Sequence, residues 1–265
     1  TAHLRVDQGL IAVYSAMLLA LIGQMWFARK YFTAIHWLFA VTVAGQVADI
    51  TLDYYYYMDA SKYGVPNHAL AAASNIVDYA AETCILLSFL MLSLGWSTLQ
   101  FRLSQKQLMR VVSSLSMFFF LGIGSSFCFD ASSTMCQSLY LVTHVVRALI
   151  LLAIIICLNF TVTQLRSMLA HSPWDPSTPY YYSRARQFMT FRVVFIMYLM
   201  FPTAFLLIQD LMLTWKESWV NFMLLELRNV LLLLVTGTAF SPFRDAFLTR
   251  AFDGTFSQNT RAHQA

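Results

Sequence analysis

Charge is what this chain has least of. Asp, Glu, Lys and Arg make up 11% of its 265 residues, against 58% hydrophobic residues and a mean hydropathy of +0.60. Soluble domains carry roughly 25% charged residues, so a water-soluble fold is excluded and an integral membrane protein is implied. The period-2 alternation of a barrel strand is also missing, which leaves helices as the spanning element. His36, His68 and His144 are scattered and no HxxxH occurs, which argues against a seven-span zinc hydrolase. The cysteines Cys84, Cys128, Cys136 and Cys157 show no CxxC spacing, so nothing points to a metal knuckle. No lysine lies in the last apolar stretch, which excludes a retinal Schiff base there. The DRY and NPxxY switches of rhodopsin-type receptors are absent, because the third and seventh stretches end LGWSTLQFR and GTAFSPF. Spacing supports no Ser–His–Asp set. The expectation is a protein without catalysis, cofactor or metal. No methionine opens the chain and no signal peptide precedes the first apolar stretch, so Thr1 is expected to begin a fragment.

What is present is a series of seven apolar stretches, at about 9–28, 34–55, 68–98, 107–127, 137–165, 187–213 and 218–239. Each is long enough for a helix that crosses ~30 Å of hydrocarbon. The fold class expected is therefore an all-α membrane protein, a seven-transmembrane helix bundle over residues 1–240 with a tail at 241–265. The segment HSPWDPSTPYYYSRAR (171–186) reads as a non-helical loop pressed against the headgroups. In the tail, SPFRDAFLTRAF reads either as a short amphipathic helix or as a frayed end.

Basic residues orient the bundle. Arg5, Lys62 and Lys216 fall on one side. Arg29, Lys30, Arg102, Lys106, Arg110, Arg166, Arg184, Arg186, Arg244, Arg250 and Arg261 fall on the other. This bias puts the N-terminus outside or in a lumen and the tail in the cytosol. The net charge of +4 thus reports orientation and not nucleic-acid binding.

The remaining ionisable groups lie inside the spans, where each one is costly unless it faces a bundle interior, water or a partner. The third stretch carries Asp78 and Glu82, four apart and so on one helical face. At 1.5 Å per residue they lie roughly 15–20 Å below the outer surface. His144 and Arg147 in the fifth stretch and Glu226 and Arg228 in the seventh reach a similar depth. Asp49, Asp53 and Asp210 fall in the outer half, and Arg192 near the inner end can snorkel. The functional reading is an outward-open polar cavity with Asp49, Asp78, Glu82, His144, Arg147, Asp210, Glu226 and Arg228 around it, the arginines balancing the acids. The bland alternative is a set of interhelical ion pairs that only fix packing. Cys128 and Cys136 flank a short outer loop and are expected to form a disulfide in an oxidising compartment. Pro202, inside the sixth stretch, is expected to kink it and to serve as a hinge.

These residues support a family. IHWLFA, the YYYYMDASKYGVP segment and LLSFLMLSLGWSTLQ resemble the GOST superfamily of Golgi-associated seven-transmembrane proteins, which includes Wntless. The likeness is nearest to the intimal-thickness-related receptor branch, with its rhodopsin-like receptor transmembrane domain. The elements that match are Gly64-Val65-Pro66, Asp78 and the ending Leu92-Ser93-Leu94-Gly95-Trp96, and FRVVFIMYLMFPTAFLLI looks similar too. The resemblance implies a lumenal β-sandwich upstream of the first helix. It also implies a cavity open to the lumen and outer leaflet for lipid or lipidated cargo, and a trafficking or receptor-like role in the Golgi, secretory pathway or plasma membrane, with membrane lipids, lipidated cargo or a G protein as partners. Two other readings stand beside it: a cation channel or transporter that uses the acidic layer, and a structural subunit of a membrane complex.

Overall fold

The computed structural model describes residues 2–29, 33–64, 67–96, 104–128, 134–171, 178–212 and 218–241, without the side chains of 2–3, 171, 178–181, 202–212, 218–219 and 221–222. Seven helices follow one another: α1 (Ala2–Phe27), α2 (Ala34–Tyr63), α3 (His68–Ser93), α4 (Gln105–Ser126), α5 (Thr134–His171), α6 (Thr178–Met212) and α7 (Ser218–Ala239). Stretches of α1 to α5 are long and apolar enough to cross a membrane.

Helix ends follow local chemistry. Asn67 caps α3, its side chain accepting from the Ala69 and Leu70 amides at 3.1 and 3.4 Å, which satisfies donors that have no helical partner. Ser104 and Gln107 bond reciprocally at the start of α4, 3.3 Å from the Gln107 amide to Ser104 Oγ and 3.1 Å from the Ser104 amide to Gln107 Oε1, a capping box. Gly64 closes α2 in the left-handed region at φ 73°, its amide bonded to Ala60 O at 2.9 Å.

Several boundaries differ from the sequence reading, among them the start of α1 at Ala2 rather than 9 and the end of α5 at His171 rather than 165. The four tyrosines of YYYYMDASKY belong to α2, which runs on to Tyr63. The expected loop at 171–186 is shorter, because α6 begins at Thr178. Pro179 is tolerated there, since a first-turn amide has no helical partner to lose. Arg184 is buried on α6 and donates to Gln187 Oε1 at 3.0 Å. Backbone helix continues through Pro202. The side chain of Pro202 and the tail from 242 onward, with its candidate amphipathic helix, lie outside the described residues.

α3 packs against α2, α4 and α5, while α1 touches α2 and α7. One half of the bundle is apolar and aromatic. Phe89 of α3 meets Phe191 and Phe195 of α6, ring centroids 5.7 and 6.0 Å apart, and Phe188 and Phe191 meet Phe240 just after α7 at 5.5 and 6.2 Å. Each of these five rings is at most 2% exposed, and burying one stabilises by about 1.5–3 kcal/mol. Polar contacts pin the frame between helices: Thr42 to Ser88 at 2.8 Å, Thr161 to Ser93 O at 2.7 Å, and His36 Nε2 to Phe240 O at 2.9 Å. On the outside, Leu19, Phe120, Leu141 and Phe160 are more than 60% exposed, a surface that only lipid makes tolerable.

Candidate functional site: a polar layer between the helices

Above the aromatic half the side chains change character. Glu82 of α3 accepts an ion pair from Arg147 of α5, Nη2 to Oε1 at 2.5 Å. Arg147 also sits beside the Tyr198 hydroxyl of α6. One turn outward from Glu82, Asp78 lies within electrostatic reach of Glu82, Asp53, Glu226 and Arg147, that is, of α2, α3, α5 and α7. Asp78 is nevertheless exposed.

α7 contributes a second group. Tyr14 of α1 donates its hydroxyl to Glu226 Oε2 at 3.1 Å, and Asn229 donates to Glu226 Oε1 at 3.5 Å. Arg228 reaches Asn229 Oδ1 at 3.1 Å and lays its guanidinium over the Tyr198 ring, 4.3 Å from the centroid. A cation over an aromatic face is held electrostatically, and more strongly where water is scarce. α2 faces this group with Asp49, 6% exposed, and with Asp53, which accepts from Ser74 of α3.

The structure therefore brings Asp49, Asp78, Glu82, Arg147, Glu226 and Arg228 into one layer. Of the two arginines, Arg147 makes the ion pair with Glu82 of α3, whereas Arg228 is held by Tyr198 and Asn229. His144, although three residues before Arg147, is exposed. The side chain of Asp210 lies outside the described residues. Cys128 and Cys136 are bonded, with Cα atoms 5.7 Å apart, and tie the end of α4 to the start of α5.

Four members escape a sequence reading: Asp7, Tyr14, Ser74 and Tyr198. Asp7 and Tyr14 stand seven apart on α1 and both are 0% exposed. The seven-residue spacing, two turns on one face, was the available signal. Tyr198 is one aromatic among many, and only the fold shows that it lies between two arginines.

Seven helices with these lipid-facing and interior surfaces are matched by a family model, GOST, seven transmembrane domain, over residues 2–246. The chain belongs to the GOST family. No curated protein matches it. Among the described residues, this layer draws together ionisable side chains of α1, α2, α3, α5 and α7. Among the described residues no group of His, Cys, Asp and Glu is arranged to hold a metal ion.

Proposed function

We propose that this GOST-family domain is a receptor-like or membrane-trafficking protein whose outer polar layer lines a cavity for lipid or lipidated cargo, open to the lumen or cell exterior. The observation that carries the reading is Asp78: its side chain is exposed although charged groups of three other helices surround it electrostatically. Exposure amid such neighbours is what a carboxylate on a cavity wall has, since a lipid-facing one meets no such groups. The disulfide at the α4–α5 end supports placing the layer toward an oxidising compartment, in keeping with the basic-residue bias. A Golgi, secretory-pathway or plasma-membrane location is in keeping with the same orientation. The Gly64-Val65-Pro66, Asp78 and Leu92-Ser93-Leu94-Gly95-Trp96 motifs resemble the intimal-thickness-related receptor branch, which supports the receptor-like reading.

The channel reading has less support. Directly below the layer, Phe89, Phe191 and Phe195 are at most 1% exposed and pack ring on ring, which opposes a wet path to the inner face. The test is binding of a fluorescent palmitoylated peptide to the protein in nanodiscs, against its unacylated counterpart. Saturable binding of the acylated form alone, weakened severalfold by Asp78→Asn, is expected. Equal binding by wild type and D78N would remove Asp78 from the site and the cavity reading with it.

A further inference from the structure

α1 has its substantial contacts with α2 and α7. Among its described side chains the buried ones are Asp7, Leu10 and Tyr14 at 0, 8 and 0% exposed. Their spacing of three and four puts them on one face, so this short stripe is the seat on which α1 docks. Tyr14 has its partner in Glu226. Asp7 has none: neither carboxylate oxygen meets a hydrogen-bond donor among the described residues.

The groups facing Asp7 make this worse for a charge. From α2 they are Asp53 and the Tyr57 phenol, and from α7 Glu226. On α1 itself Arg5 is exposed, and Arg228 of α7 is occupied by Tyr198 and Asn229. An ionised carboxylate buried beside other carboxylates, with no donor and no cation, is strongly disfavoured against its neutral acid. At 0% exposure Asp7 is closed off from water in the docked helix.

We infer that Asp7 is a proton-binding site, and that α1 docks on α2 and α7 when Asp7 holds its proton and loosens when the proton is released to water. The docked state then binds one proton more than the undocked state. Acid favours docking, and alkali favours release, with the ratio of the two states changing by at most about tenfold per pH unit. This device is independent of what occupies the space beside Asp78.

The test is pulsed electron-paramagnetic-resonance distance measurement in nanodiscs, with spin labels at Ala12→Cys on α1 and Ser138→Cys on α5, both exposed, and with Cys84 and Cys157 replaced by Ser. A single short distance at pH 5 and a growing longer population toward pH 8 are expected. Asp7→Asn, isosteric and neutral, should hold the short distance at both. The wild-type titration needs no substitution at Asp7, so a poorly folding variant does not decide the matter. A distance distribution independent of pH in the wild type overturns the inference, as does a pH response that persists in D7N. Closure at pH 8 by sodium chloride, but not by choline chloride, makes the ligand a metal ion and overturns it equally.

Discussion

Glu82 and Arg147 hold one another across the α3–α5 contact at 2.5 Å, while Arg228, at similar depth, lies over Tyr198 instead. Two arginines in one layer thus do different work. One neutralises a carboxylate and the other is held by a π-face and an amide. Neutralising Glu82 removes the only ion pair that Arg147 has among the described residues. Glu82→Gln should therefore cost about 3 kcal/mol, toward the lower end for a broken buried pair because Arg147 keeps 30% exposure. Glu82→Gln with Arg147→Gln should recover part of that loss. Unfolding in mixed micelles, analysed as a double-mutant cycle, gives the coupling. Additive losses in the double variant would show that the pair contributes nothing.

The Cys128–Cys136 bond closes a loop of eight residues in sequence separation. Constraining so short a loop stabilises by about 2–3 kcal/mol. Cys128→Ser should lower thermal stability, and an impermeant maleimide should label neither wild-type cysteine until reductant is added. Free labelling of both without reductant contradicts the bond.

Orientation is checked separately. With basic residues concentrated on one side, a C-terminal epitope should resist protease in intact cells whose outer face alone is reached. Digestion of that epitope from outside would invert the bundle and place the polar layer toward the cytosol.

The seven helices and the depth of the charged layer were legible in the sequence because both are one-dimensional quantities. Apolar length gives a span, and residue count from an end gives depth. Which way a side chain points around its helix is a second coordinate, and depth alone does not supply it. Arg147 and Arg228 have nearly the same depth, so both looked equally able to pair with Asp78 or Glu82. Only packing against α6 assigns Tyr198 to Arg228. The start of α6 was missed for another reason: two prolines and three tyrosines in PSTPYYY read as irregular, yet Pro179 sits in the first turn, where proline costs no hydrogen bond. Asp7 is not legible in the same way, because the first apolar run begins at residue 9 and leaves it outside the span.

Tyr14 carries a test of the α1 seat that does not involve protonation of Asp7. Its hydroxyl donates to Glu226 Oε2 at 3.1 Å from a fully buried ring. Tyr14→Phe keeps the ring and removes the donor, which leaves a carboxylate short of a partner and should cost about 1–3 kcal/mol. The loss should appear as faster hydrogen exchange in α1 with α3 to α5 unchanged. Unchanged exchange in α1 would mean that the hydroxyl adds nothing to docking.

A close approach between α3 and α4 sets the last expectation. A Cβ built on Gly122 would stand 2.5 Å from two atoms of the Tyr79 ring and 3.0 Å from Tyr79 Cβ. Those atoms are the root of the side chain rather than its free end, so rotation about a distal bond cannot clear them. Tyr79 is further confined by Phe118 of α4, edge to face at 6.0 Å, and Phe118 is 0% exposed. The backbone must therefore separate, as overpacked cores do at a cost of about 1–3 kcal/mol. Gly122→Ala should lower stability by that amount. Because Tyr79 is one residue from Asp78 on α3, the displacement should also reach the polar layer. Weakened binding of the palmitoylated peptide by G122A is expected together with the stability loss. Reducing Tyr79 to Ala in the same chain opens the space that the new methyl needs, and the double variant should lose less than the sum of the two single changes. Strict additivity would show that Gly122 and Tyr79 do not meet.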